Sequence, residues 1–199
     1  MTENAISRDR QPFTEEEIRA TTVGDLQPHA APIHLVDYDP AWPALFERED
    51  RRIRAALGDK VLRLEHTGST SVPGLAAKPC IDMTMIVPNS ADEDDYLPAL
   101  EAAGYVLRIR EPDWHEHRCF KGPDTNVNLH VFSPGSVELD RMVGFRDWLR
   151  THDDDRELYD GTKRELAAKE WQFVQNYADA KTTIVEEIIA RAGLPRGTA

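Results

Sequence analysis

Cysteine is scarce in this sequence: Cys80 and Cys119 stand alone in 199 residues, with neither Cys-x-x-Cys spacing nor a partner pattern. That argues against a disulfide-built secreted scaffold and fits two buried, reduced thiols in a cytoplasmic protein. Long hydrophobic runs are missing too. No apolar stretch approaches the roughly 20 residues that span a bilayer. The opening Met1-Thr2-Glu3-Asn4-Ala5-Ile6-Ser7-Arg8 has no apolar core for export. The third absence is a basic excess. Net charge is −12, so the chain lacks the clustered lysine and arginine with which proteins coat nucleic acid or anionic membrane. A small-molecule or nucleotide ligand in a locally basic pocket is compatible with that balance. The acidic runs Asp92–Asp95 and Asp153–Asp155 read as solvated surface.

What is present is ordinary for a globular domain, with 40% hydrophobic and 30% charged residues. Residues 1–31 read as an N-terminal extension, partly flexible, ending near Pro28, Ala31 and Pro32. It holds one short helix around Thr14 to Ala20, capped by Thr14 with Glu17 at the capping-box position. Residues 32–195 read as the domain proper. A short strand is expected over Ile33–Val36. A helix follows from Asp39 as N-cap through Trp42, Leu45, Phe46, Glu49, Ile53, Ala56 and Leu57 to Gly58. Strands are expected over Val61–His66, Cys80–Val87, Tyr105–Ile109, Arg118–Lys121 and Val127–Phe132, with a helix over Ala91–Ala103. From Glu138 the pattern turns helical: one helix to about Arg150, one over Asp154–Ala168, and a last one, nearly continuous with it, to Ala192. This order implies an α+β class, a mixed sheet with flanking helices and a C-terminal helical layer.

Polar residues interrupt the apolar strands in a regular way. Side chains alternate faces, so Asp82 and Thr84 share a face opposite Ile81, Met83 and Met85. Asn128 and His130 likewise oppose Val127, Leu129 and Val131. If the two strands share a sheet, four polar groups line one face. An acid there needs a partner or a metal. Just upstream, the turn Gly68-Ser69-Thr70-Ser71 offers accessible amides and three hydroxyls able to cradle phosphate oxygens. Lys78 supplies a nearby counter-charge, and a metal on Asp82 would bridge to phosphates held by the turn. The plain alternative is that Asp82 accepts hydrogen bonds from the loop and pins it. On the last helix, Lys181 follows Tyr177 by four residues in line with an apolar stripe, so it either snorkels or meets an anion. Lys163 and Lys169 read as solvated. His115 and His117 on a strand would present two imidazoles to a metal, with surface histidines as the alternative.

Several blocks resemble the GrpB family, a domain also appended to some bacterial dephospho-CoA kinases. They are Val36-Asp37-Tyr38-Asp39-Pro40-Ala41-Trp42-Pro43, the run from His66 to Asp82 with Gly-Ser-Thr-Ser-Val-Pro-Gly-Leu at its centre, Leu129-His130-Val131, and Phe145-Arg146-Asp147-Trp148-Leu149-Arg150. Tyr159, Lys163, Tyr177 and Lys181 continue the pattern. The resemblance implies a nucleotidyltransferase-like fold. An active enzyme of that class carries Asp-x-Asp after its Gly-Ser and a third acid on a later strand. Here Gly68, Ser69 and Asp82 match, while Thr84 and Asn128 or His130 stand where further carboxylates are expected. The resemblance leaves three readings. In the first, an enzyme transfers a nucleoside monophosphate from ATP or another nucleotide to a small acceptor, with Mg²⁺ on Asp82 and His130 as base. In the second, a non-catalytic nucleotide-binding or interaction module has lost the second metal acid. In the third, Asp82 and His130 hold a single ion such as Zn²⁺.

Overall fold

The computed structural model describes residues 13–26 and 33–195. Its centre is a five-stranded mixed sheet in the order β1-β2-β5-β4-β3, with β1 Arg63–Thr67, β2 Ile81–Ile86, β3 Val106–Glu111, β4 His117–Lys121 and β5 Val127–Phe132. Only the β2–β5 pair is parallel; the others are antiparallel. Helices α1 (Glu15–Thr21), α2 (Trp42–Leu57) and α3 (Leu97–Ala102) precede or interleave with the strands. Helices α4 (Val137–Thr151), α5 (Asp153–Ala167), α6 (Val174–Ala180) and α7 (Thr182–Arg191) follow them. The α+β class and the C-terminal helical layer are as the sequence implies.

Strand alternation makes two unlike faces. Ile81, Met83, Met85, Leu129, Val131 and Phe120 are buried on one of them beneath Ile53 and Leu57 of α2 and Leu100 of α3. The stripe on α2 that reaches this core carries one acid, Glu49, which is fully buried. It accepts hydrogen bonds from Tyr105 Oη (2.6 Å), Thr125 Oγ1 (2.6 Å) and Arg52 Nη1 (3.1 Å), tying the helix to the loops beyond the sheet. The opposite face is covered by the C-terminal helices. There Val72 and Leu75 pack with Leu149 of α4, Tyr159 of α5, and Ile184 and Ile188 of α7.

Several elements differ from expectation for identifiable reasons. The helix expected from Ala91 begins only at Leu97, after a 3-10 turn over Glu93–Asp95. Pro98 lacks an N–H and fits the first helical turn, so it starts α3 instead of kinking a longer helix. The segment Ile33–Val36 forms no strand; only Val36 bridges to Ala77. The expected helix start at Asp39 falls at Trp42, with Asp39 Oδ1 accepting the Ala41 amide at 2.8 Å. The long terminal helix is broken after Ala167 and again at Lys181. The acidic run near 153 is not all solvated: Asp155 is buried, accepting from Trp148 Nε1 (2.7 Å) and pairing with Arg191 (3.0 Å). In the extension, Thr14 and Glu17 form the expected capping box of α1. The chain after α1 joins the sheet edge, with the Val23 amide on Arg108 O at 2.8 Å. Its expected end at Pro28, Ala31 and Pro32 lies outside the described residues. Among the described residues no helix is long and apolar enough to cross a membrane.

Candidate functional site

Register turns the polar alternation into two rows across the helix-covered face. One row runs Thr67, Asp82, Asn128, Lys121; the next runs Glu65, Thr84, His130, Cys119. The four residues singled out from the sequence do share a face. In the first row Lys121 Nζ donates to Asn128 Oδ1 (2.5 Å), and Asn128 Nδ2 donates to Asp82 Oδ1 (2.7 Å). In the second, Thr84 Oγ1 is 2.8 Å from Thr67 Oγ1 and 3.2 Å from the Met142 sulfur. His130 Nδ1 meets His117 Nε2 at 3.0 Å, and His117 Nδ1 meets Glu111 Oε2 at 2.6 Å. Burial, then the neighbouring His117, pushes His130 down to about 4, so it is neutral at pH 7.

The Gly68 loop sits over the start of β2. Gly68 adopts φ 66° and ψ −177°, and a Cβ added there would lie 2.3 Å from Asp82 Oδ2. Only glycine lets the loop approach the carboxylate so closely. Ser69–Ser71 then form a 3-10 turn. Of the three hydroxyls, Thr70 Oγ1 lies 3.3 Å from Cys80 O and 3.0 Å from His66 Nε2, and Ser71 Oγ donates to Gly68 O (2.5 Å); both residues are buried. Ser69 lines a cavity of about 240 Å³ between the loop and the C-terminal helices, with Gly68, Asp82, Arg146, Tyr159 and Lys181 as its other polar or aromatic walls. Val72, Met142, Phe145, Leu149 and Val185 complete it. His130, Asn128, Thr84, Lys78 and Tyr177 do not line this cavity.

Cations dominate the surroundings of Asp82. Lys181 Nζ lies 4.6 Å and Lys78 Nζ 6.0 Å from the centroid of the Tyr177 ring. Neither ammonium has a hydrogen bond or ion pair among the described residues. Burial, then Lys181, lowers the pKa of Lys78; burial lowers that of Lys181, against the opposing pull of Asp82. The Tyr177 hydroxyl is itself buried without a partner among the described residues.

Lys163, read from the sequence as solvated, is 1% exposed. Its Nζ donates to Ser69 Oγ (3.2 Å) and to Ala76 O and stands 4.9 Å from the Tyr159 ring centroid. The reason for the difference is tertiary: α5 lies against the loop, so the one face that carries Tyr159 and Lys163 points inward. Two arginines of α4 also hold this loop. Arg146 donates to His66 O (2.9 Å) and Glu65 Oε2 (2.9 Å), and Arg150 donates twice to Ser71 O (3.0 and 2.7 Å), clamping the loop from both ends. A usable signal existed. The chain has only six lysines among its 24 basic residues, and Lys78, Lys121, Lys163 and Lys181 all fall near Asp82 or Ser69.

The donor set decides what metal it suits. Asp82 is the single carboxylate on the cavity. Thr84 is neutral and held under α4, Asn128 directs an NH₂ at Asp82, and Glu65 is taken by Arg146 and Arg63. Two protein-bound cations do not fit such a set. One Mg²⁺ does, because it is commonly held by one or two carboxylates together with ligand phosphates. Among the described residues no group of three or more His, Cys, Asp or Glu is placed to hold a metal ion. His115 and His117 do not present a strand pair either: His115 and Glu116 take φ 53° and 51° in a turn, and only His117 enters β4. Both cysteines are free and buried, their thiols pushed up to about 12 by burial.

The family model described as GrpB protein matches residues 32–191. The chain belongs to the GrpB family. Among relatives, a UPF0157 protein of Halalkalibacterium halodurans is 60% identical over 94% of this chain and 95% of its own length. A dephospho-CoA kinase of Mycolicibacterium paratuberculosis is 29% identical over 81% of this chain, the match covering 46% of the kinase. The crystal structure of GrpB from Enterococcus faecalis superposes with a TM-score of 0.71 at 31% identity, covering 80% of this chain and 96% of that one.

Proposed function

We propose that the cavity binds the phosphate chain of a nucleotide or another phosphorylated small molecule, accompanied by one Mg²⁺. The observation that carries this reading is the convergence of two half-buried ammonium groups, Lys78 and Lys181, over Tyr177 near Asp82, neither of them with a hydrogen bond or ion pair among the described residues. Like charges held together in partial burial repel, and a polyanion converts that cost into attraction. At an effective dielectric near 20, each contact at about 4 Å is an interaction of about 4 kcal/mol before desolvation. Ser69 supplies a hydroxyl, Lys163 charge behind it, and Asp82 the one carboxylate for the cation. The cavity, about 240 Å³, is below the roughly 300–1,000 Å³ of pockets that enclose a whole ligand. A phosphate chain fits inside while the nucleoside stays outside.

Calorimetry with ATP and with inorganic pyrophosphate, each with and without Mg²⁺, tests the reading. Binding is expected for both, tighter with Mg²⁺, and about tenfold weaker in Lys181→Ala or Lys78→Ala, equivalent to about 1.4 kcal/mol each. Asp82→Asn should remove the Mg²⁺ dependence. If wild type binds none of these ligands, the reading fails. If binding survives with unchanged Mg²⁺ dependence in Asp82→Asn, Asp82 is a pin for the Gly68 loop and not a cation ligand.

A further inference from the structure

We propose that Ser69 is a nucleophile with Lys163 as its proton acceptor, taking a phosphoryl or nucleotidyl group from a phosphoanhydride held in the cavity. This rests on the phosphate reading above and adds a covalent step to it. Three features of the geometry converge. Ser69 is the one hydroxyl of the Gly68–Ser71 turn that lines the cavity, while Thr70 and Ser71 are bonded into the loop's own backbone. Lys163 Nζ is within 3.2 Å of Ser69 Oγ. Among the described residues no carboxylate is bonded to that lysine: neighbouring Asp160 accepts from the Ala76 amide (3.0 Å) and Arg164 (2.7 Å) instead.

A buried ammonium lacking a carboxylate partner is costly, and the group tends to neutralise. As a neutral amine, Lys163 accepts the Ser69 hydroxyl proton on its lone pair and still donates one of its two N–H groups to Ala76 O. Burial, then Lys181, pushes Lys163 down to about 7, so both forms are present near neutrality. A serine beside such an amine has the arrangement of an activated nucleophile, and lysine is a known substitute for histidine in that role. In the step itself, Ser69 Oγ forms a bond to phosphorus and its proton passes to Lys163 Nζ. The bridging P–O bond breaks, and the departing phosphate keeps the electron pair, its charge met by Lys181.

A small alkyl fluorophosphonate tests the nucleophile directly, because serine attack on its phosphorus expels fluoride and leaves a stable ester. Peptide mass spectrometry should place the label on Ser69, and Ser69→Ala should abolish it. The labelling rate should rise with pH through about 7, fall at least tenfold in Lys163→Met and Lys163→Arg, and be suppressed by ATP or pyrophosphate. Urea midpoints establish that each variant is folded, and the methionine variant serves if arginine cannot be packed. Incubation with MgATP followed by intact-mass measurement should show a phosphoryl or nucleotidyl adduct absent from Ser69→Ala. A wild-type protein that binds ATP by calorimetry yet leaves Ser69 unlabelled overturns the nucleophile while the phosphate pocket stands. Wild-type labelling rates in both Lys163 variants overturn the role of the lysine. Labelling of Ser69 that ATP and pyrophosphate do not block overturns the phosphate reading and the group transfer with it.

Discussion

Gly68→Ala tests whether the loop and Asp82 are a fitted pair. At φ 66° and ψ −177°, the position lies in a region essentially reserved for glycine, where any other residue costs about 1–3 kcal/mol. The new methyl would also sit 2.3 Å from Asp82 Oδ2, 2.8 Å from its Cβ and 2.9 Å from its Cγ. These approaches are too short to persist, so Asp82 must swing away. Leaving its rotamer costs about 0.5–1.5 kcal/mol, and losing the Asn128 bond, a charged one, costs about 1.5–3 kcal/mol. The first brings the total to about 1.5–4.5 kcal/mol and the second to about 2.5–6 kcal/mol, a large part of a typical domain stability of about 5–15 kcal/mol. The two contributions separate in a double-mutant cycle. In an Asp82→Gly background all three obstructing atoms are gone, and only the backbone cost of about 1–3 kcal/mol should remain. Urea unfolding of the four proteins gives the coupling, expected to be at least about 1 kcal/mol. Additive costs would refute the argument that glycine is required by the carboxylate above it.

The buried Glu49 network gives a prediction about stability alone: Glu49→Ala leaves the Tyr105 and Thr125 hydroxyls without their acceptor and should cost about 2–4 kcal/mol, with Glu49→Gln costing less than half as much. A Glu49→Ala urea midpoint indistinguishable from wild type would rule this out. Burial pushes His66 down to about 4, from an ordinary 6.5. The unfolded chain therefore takes up the proton first, and the stability His66 contributes, complete above pH 6.5, is lost as pH falls through about 4. His66→Phe, which keeps the stack on Phe46, should show a shallower loss of melting temperature between pH 6.5 and 4.5, and an unchanged slope would contradict it.

The strands were legible because alternation is a local property. Ile81, Met83 and Met85 against Asp82 and Thr84 fix which side faces the core whatever the partner strand is, and parallel pairing with Val127–Phe132 then aligns Asp82 with Asn128 and Thr84 with His130. The glycine loop was legible for a similar reason. Lys163 was not, since its burial depends on a serine 94 residues away, and Tyr159-x-x-x-Lys163 in an otherwise polar helix has the pattern of a solvated face. Nor was the break at Lys181. No glycine or proline marks it, and the apolar stripe from Tyr177 to Ile188 continues in phase across it. What places Lys181 beside Tyr177 and the cavity is the packing of α6 and α7 on α5, which spacing alone does not encode. His130 shows the converse limit. Its face follows from alternation, but its Nδ1 partner, His117, opens β4 directly after a turn whose left-handed residues His115 and Glu116 no pattern announced.

Arginine and lysine divide their work in this chain. Arginines make the structural ion pairs, such as Arg52 with Asp124, Arg118 with Glu93 and Arg146 with Glu65, where a permanent, forked cation suits a fixed carboxylate. Lysines gather near Asp82, where a charge that can be shed on burial is an advantage. Lys163 makes this measurable. Its folded value of about 7 lies far below its ordinary 10.5, so above pH 7 the unfolded chain holds a proton that the folded protein has released. Stability from this group is complete above 10.5 and is lost as pH falls through about 7. Thiols and tyrosines complicate the range above about 8.5, which leaves pH 7 to 8.5 as the clean window. One proton across it corresponds to a rise approaching about 1.4 kcal/mol per pH unit. Urea unfolding at the two ends should show wild type gaining about 1–2 kcal/mol more than Lys163→Met. Saturating pyrophosphate should shrink that difference, since an anion in the cavity favours the ammonium form. If wild type and Lys163→Met gain equally, Lys163 keeps its proton in the folded protein, and it is a tether between α5 and the Ser69 loop, with no proton to accept.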